Sequence, residues 1–347
     1  MKINNENNIW GIAAGDSNRD YHEIFLDWNV MLMGPGDPGN WNDKKDIYKE
    51  DSTITTRKFN MIKDFCENAH NGDIVFLSLK SKPGSYKVGI IDGDYEWHDI
   101  FGDIDGWNLQ HTRRVRWLPE EYKPPIDIHR GTFYKINAPR VRQWLANLNI
   151  PEDIYNTKLK TIPSDNEFSK LSLEKISEGL FDRGVASNSI ESLMHDMNGL
   201  IRVANWYERS DIYPSEAETK AYLVIPLLRA LGWTQQRMAI EWENIDVALF
   251  SGPERKDDAL SIIVEVKRKG DSCLSAEIQA ANYANKKGRE NCKMIIVTDG
   301  LRYGIFRKNK EGFKKLCAYM NLTRLVDKYP IYKCEGATTL LSLIAPG

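Results

Sequence analysis

The run Ile262-Ile263-Val264-Glu265-Val266-Lys267 reads as a β-strand. Its apolar, β-branched character requires burial, yet it carries an acid and a base at alternate positions. A strand repeats every two residues, so Val264 and Val266 enter a core while Glu265 and Lys267 project together from the opposite face. Residues 246–250 are expected to form the neighbouring strand, with 251–259 (Ser-Gly-Pro-Glu-Arg-Lys-Asp-Asp-Ala) as the turn. That pairing brings Asp246 beside Glu265. Two carboxylates on adjacent strands suit a hard cation such as Mg²⁺, which keeps several waters and accepts phosphate oxygens as further ligands. Lys267 is then placed to orient an attacking water or lower its pKa.

The triplet alone is weak. Asp/Glu-x-Lys begins at five positions, Asp43, Glu121, Glu218, Glu254 and Glu265, and such triplets usually mark a solvated charged face. Only the copy at Glu265 lies in an apolar β-branched run. A partly buried ion pair is the plainer alternative, because acids and lysines are seldom buried unpaired.

The flanking segments add context. Ser215 to Trp233 reads as a helix with Ser215 as N-cap, acids in the first turn, Gly232 as the stop and a kink expected at Pro226. Ser275 to Lys287 reads as a second helix, placing Gln279 and Tyr283 four apart on one face. Lys293 to Gly300 is a buried strand entering a turn, and Arg302 to Arg307 a further strand. The order α-β-β-α-β predicts a mixed sheet flanked by helices.

Glu-Ala-Glu-Thr, then Pro-Leu-Leu-Arg-Ala-Leu-Gly-Trp, Ile-Asp-Val-Ala-Leu, Val-Glu-Val-Lys, Gln279 with Tyr283, and Val-Thr-Asp-Gly together resemble the PD-(D/E)xK nuclease domain at the N-terminus of type I restriction motor subunits. The likeness covers residues 211 to 310. It implies Asp246 and Glu265 as metal ligands and Lys267 as the catalytic lysine. Gln279 would support the site from the second helix, and Glu216, or Glu218 two residues on, would be the first-helix acid. Products with a 5′-phosphate are also implied. No Gly-x-x-x-x-Gly-Lys-Ser/Thr loop occurs, so ATP-driven translocation is not expected of this sequence.

A length of 347 residues accommodates two or three domains, and 41% hydrophobic with 28% charged residues is an ordinary globular composition. The net charge of −2 does not advertise nucleic-acid binding. Lys and Arg nevertheless outnumber Asp and Glu over residues 110–145 and 253–315, two stretches that could meet phosphates. Solvated lysines are the alternative for each. Five widely spaced cysteines favour reduced thiols in a cytoplasmic protein, and the histidine spacing gives no zinc site. The polar N-terminus and the lack of an apolar stretch near ~18 residues point away from secretion and membranes.

The first 145 residues look β-rich, with short runs at 9–14, 30–33, 72–79, 87–91 and 113–118 and a helix over 55–69. A small, partly closed barrel with a packed helix is expected. Trp-Gly-Ile-Ala-Ala-Gly, Gly-Asp-Ile-Val-Phe-Leu, Val-Gly-Ile-Ile-Asp-Gly-Asp-Tyr-Glu-Trp and His-Thr-Arg-Arg-Val-Arg-Trp resemble the EVE-type, PUA-like domains of modification-dependent restriction enzymes. Such domains take a flipped modified base, commonly a cytosine, into an aromatic-walled pocket. Most of Trp10, Trp28, Trp41, Tyr95, Trp97 and Trp107 should be core. Trp41, carried by the glycine-rich segment 33–41, is the expected pocket wall with Tyr95 nearby, and Asp37, Asn40 and Ser17 are candidates for the base edge.

The fold class expected is therefore multidomain α+β: a PUA-like β-barrel over 1–145, a mostly helical connector over 146–210 and an α/β PD-(D/E)xK core over 211–347. The function expected is Mg²⁺-dependent, restriction-type cleavage of modified double-stranded DNA, with a homodimer as one way to cut both strands. A nuclease gated by a small nucleotide and a catalytically idle nucleic-acid-binding module are the alternatives.

Overall fold

The computed structural model describes residues 7–125, 128, 131–148, 150–164, 170–210 and 212–343; the polar N-terminal residues 1–6 lie outside it. The chain divides into two compact units, Met1–Glu167 and Phe168–Gly347. Together they make a two-sheet α+β protein.

In the first unit the order is β1 (Ile9–Ala13), α1 (His22–Trp28), β2 (Val30–Met33), α2 (Trp41–Glu50), α3 (Thr56–Lys63), β3 (Ile74–Ser78), β4 (Tyr86–Trp97), β5 (His111–Tyr122), β6 (Phe133–Lys135) and α4 (Pro139–Ala146). The sheet runs β2-β5-β4-β3-β1-β6, leaving β2 and β6 as edges of a curled, open half-barrel. Only β1 and β3 pair in parallel; the other neighbours are antiparallel. Phe76, Val88, Ile90 and Leu118 pack against Val141 and Leu145 of α4. A π-turn over Asp64–Asn68 extends α3, so the helix expected over 55–69 ends in a widened turn. The helix α2 departs from the expected loop. Asn40 caps it by accepting from the Asn42 amide at 3.0 Å, and its charged sequence buries only Trp41 and Tyr48, too few to give a helical period.

Basic residues of β5 explain why the first unit extends beyond residue 145. Arg116 donates to the carbonyls of Ile154 at 3.0 Å and Thr157 at 2.5 Å and pairs with Asp92 at 2.8 Å, while Arg114 donates to the Lys160 carbonyl. Arg113 is buried and donates to the carbonyls of Phe65 and Cys66. These three arginines of the stretch 110–145, expected to meet phosphates, are committed to main-chain oxygens instead. The donors so engaged, those of Arg116 on Asp92 included, are not open to a phosphate.

The second unit contains α5 (Leu173–Asp182), α6 (Ser187–Arg209), α7 (Glu216–Thr219), α8 (Ile225–Ala230), β7 (Met238–Trp242), β8 (Ile245–Phe250), β9 (Leu260–Val266), α9 (Glu277–Ala284), β10 (Met294–Thr298), β11 (Arg302–Arg307), β12 (Leu316–Asn321), β13 (Lys328–Tyr329), β14 (Cys334–Glu335) and α10 (Ala337–Leu341). Its mixed sheet runs β13-β14-β12-β11-β10-β9-β8-β7. A π-turn, Lys220–Val224, joins α7 to α8 just before Pro226, which lacks the amide donor that a regular helix would use there.

The sheet is covered on both faces. Val247, Leu249, Val264 and Val266 pack on one side against Leu180, Met197, Leu200, Leu223 and Leu227. Ala248, Phe250, Ile263 and Val297 pack on the other against Ala276, Ala280 and Ala284. Double coverage is the reason that β9 reads as a nearly unbroken apolar run. Helices α5 and α6, expected within a connector, contribute to this core, so the segment 146–210 is divided between the two units.

Candidate functional site

Strands β8 and β9 pair antiparallel with Val247 opposite Val264, and continuing that register sets Asp246 opposite Glu265. Both acids are buried, Asp246 at 7% exposure and Glu265 at 2%. Asp246 Oδ2 accepts from the Val266 amide at 2.8 Å, which fixes the carboxylate against the neighbouring strand. Its Oδ1 accepts from Lys220 Nζ, also at 2.8 Å.

Glu265 is less satisfied. Its Oε1 lies 3.6 Å from Lys267 Nζ, whereas Oε2 is buried without a hydrogen-bond partner. Burial above all, and then the Asp246 charge, push the Glu265 carboxyl up to about 7, against the opposing pull of Lys267. A buried carboxylate oxygen with nothing to accept from is costly unless a cation or donor arrives. The arrangement therefore fits a hard divalent ion.

Lys267, just past the end of β9, donates to Gln279 Oε1 at 2.9 Å, and Gln279 Nε2 donates to the Tyr283 hydroxyl at 3.4 Å. One turn of α9 thus holds the lysine that shares a face with Glu265. Of the two first-helix acids, Glu218 closes a capping box, its Oε2 accepting from the Ser215 amide at 2.7 Å. Glu216 stands 3.8 Å from Lys220 Nζ with its side chain 41% exposed. Among the described residues no group of three or more His, Cys, Asp or Glu side chains is arranged to hold a metal. Asp246 and Glu265 are the candidate protein ligands, a number consistent with an ion that retains waters.

Two residues escaped the reading of the sequence. Lys220 contacts Asp246, Glu241 and Glu216, and Glu241 reaches it from β7 with a positive φ of 53°. Lys220 ends the triplet that begins at Glu218, so a weak signal was present for it. None existed for Glu241, which is brought in by the β7–β8 hairpin.

The residues expected to line a reader pocket are placed differently. Trp41 is 1% exposed, with its indole Nε1 donating to Glu67 at 2.9 Å and its ring against Tyr48 and Phe59. It is core, because the segment that delivers it continues into α2. The half-buried Tyr95 accepts from the Trp41 amide at 3.1 Å and bonds His111 Nδ1 at 2.8 Å, while His111 Nε2 meets the Pro35 carbonyl at 3.0 Å. Asn40 is occupied as the α2 cap. Asp37 and Ser17 are exposed, and the Ser17 carbonyl accepts from Lys80 at 2.6 Å.

A cavity of about 330 Å³ lies instead at the ends of β1 and β2. Ala13–Gly15, Leu32–Pro35, Trp107 and Asn108 contribute to its lining. Trp107 follows Gly106, whose φ of +88° only glycine adopts readily, and Arg19 lies 4.9 Å from the centre of the indole. A Cβ on Gly34 would sit 2.2 Å from the Asn108 carbonyl, so this wall requires glycine. The signal was a tryptophan directly after a glycine, which Trp41, following Gly39-Asn40, lacks; burial also separates the two. No helix among the described residues is long and apolar enough to cross a membrane.

Residues 10–137 match the model of a domain of unknown function, DUF8426, which covers less than half of the chain. No curated protein matches. A solved structure assigned as a fragment of an HsdR subunit of a type I restriction enzyme from Vibrio vulnificus YJ016 aligns at 21% identity and a TM-score of 0.22, over 28% of this chain and 22% of that one.

Proposed function

We propose that this protein is a Mg²⁺-dependent restriction-type DNA endonuclease that selects DNA carrying a modified base, cytosine being the first candidate. The observation that carries the nuclease reading is the pairing of Asp246 with Glu265, whose Oε2 is buried and unpartnered beside Lys267. Asp246 and Glu265 would hold the ion, which when bound supplies Lewis-acid stabilisation of phosphate charge and a more acidic water. Lys267, oriented by Gln279, is within reach of that face and would position the attacking water.

For the first unit, the cavity beside Trp107 supports a base-reading role better than the environment of Trp41. Its volume falls in the roughly 300–1,000 Å³ range of small-molecule sites, and the indole offers a π surface to a base removed from its stack. Homodimerisation would bring two cutting sites to one duplex.

The test is cleavage of one plasmid in unmodified, 5-methylcytosine and 5-hydroxymethylcytosine forms, with Mg²⁺ or EDTA, alongside Glu265→Ala. Mg²⁺-dependent cutting of a modified form alone, absent in the variant, is expected. Equal cutting of every form would remove the reader, and cutting by Glu265→Ala would remove the active-site assignment.

A further inference from the structure

Lys220 is 7% exposed, and its ammonium stands among Asp246 Oδ1 at 2.8 Å, Glu216 Oε1 at 3.8 Å and the Glu241 carboxylate. It occupies a direction at Asp246 Oδ1 from which a second divalent ion could share that carboxylate. The π-turn that begins at Lys220 supplies this cation from the chain itself. An ammonium and a divalent ion repel one another and compete for the same carboxylate oxygens.

Charge balance points the same way. Asp246, Glu265, Glu216 and Glu241 carry four negative charges when ionised, and Lys220 with Lys267 carries two positive ones. The remainder equals the charge of one divalent ion. The unpartnered Glu265 Oε2 marks where that ion is wanted, and each Asp246 oxygen keeps a lone pair beyond the bond it already accepts.

We propose that Lys220 is a fixed cation standing in place of a second metal ion, so that the centre binds a single divalent ion on its Glu265 side. This inference rests on the reading of Asp246 and Glu265 as a metal site. Lys220 is a positioning residue: it holds Asp246 and offsets part of the charge of Asp246, Glu216 and Glu241.

The experiment is calorimetric titration of Mn²⁺ onto the metal-free full chain, with the spin–spin coupling in the Mn²⁺ EPR spectrum as an independent count. Wild type is expected to take one Mn²⁺ per chain without coupling, and Lys220→Gln two with coupling. Glu241→Gln alters a largely exposed side chain and should leave the count at one. Two ions in wild type would overturn the proposal whatever the variants do. So would a count of one in folded Lys220→Gln, or a count of two in Glu241→Gln. Absence of any bound ion in wild type would instead remove the metal-site reading beneath it, and Glu265→Gln, expected to weaken binding at least tenfold, shows that the counted ion is the one at Glu265.

Discussion

Lys267 Nζ donates to the side-chain oxygen of Gln279 across 2.9 Å, joining the end of the central strand β9 to the helix that follows it. Gln279 is in turn bonded to Tyr283 one turn along, so the lysine is aimed by two side chains that reach neither carboxylate through any bond described above. Gln279→Ala should lower kcat about 10- to 100-fold, the usual effect of losing an orienting partner, and leave Mn²⁺ affinity nearly unchanged. Single-turnover cleavage with a parallel metal titration checks this; loss of metal binding would place Gln279 among the ligands instead.

Glu265→Gln should abolish cleavage and yet raise the melting temperature in EDTA by about 2–4 °C, as expected for a gain on the order of 1 kcal/mol in a domain of this size. The substitution removes a buried like-charge neighbour of Asp246 while preserving side-chain shape. A fall in melting temperature without metal would show that the carboxylate is stabilising as it stands.

Trp107→Ala and Trp41→Ala should separate recognition from folding. The first truncates a half-buried ring at the cavity and is expected to reduce preference for modified over unmodified DNA by about 10- to 100-fold, from a base-stacking energy of ~1–3 kcal/mol. The second empties a core position and should cost about 3–5 kcal/mol of stability. Competition binding and urea melts distinguish them, and a Trp107→Ala protein with unchanged preference would move the reader away from this cavity.

His111 makes the first unit acid-sensitive. Burial holds its imidazole at a pKa of about 4, below the ordinary 6.5, and the neutral ring is the form that donates to Pro35 and accepts from Tyr95. The unfolded chain binds the proton more readily, so the stability contributed is fully present above pH 6.5 and is lost as pH falls toward 4. Urea melts followed by tryptophan fluorescence should show this loss, and His111→Gln should flatten it. An unchanged slope in the variant would assign the acid sensitivity to other groups.

Local pattern by itself determined the strand at Ile262–Val266, the acid Glu265 and the lysine that follow one of its faces, the Ser215 cap, and the alternation of strands in the first unit, because each depends on short-range sequence spacing. It also set Gln279 and Tyr283 on one face of a helix, while the supporting role of Gln279 came only from the resemblance. Tertiary structure alone decided that Trp41 is core and Trp107 borders a cavity, since Trp41 is buried by packing on Tyr48 of α2 and Phe59 of α3. It likewise turned Arg114 and Arg116 of β5 onto carbonyls between residues 154 and 160 and moved α5 and α6 into the core of the second unit. Lys220 and Glu241 meet at Asp246 from a π-turn and a separate strand, 26 and 5 residues away in the chain. No local periodicity encodes such a meeting, because it depends on how a helix and a hairpin are laid against the same sheet.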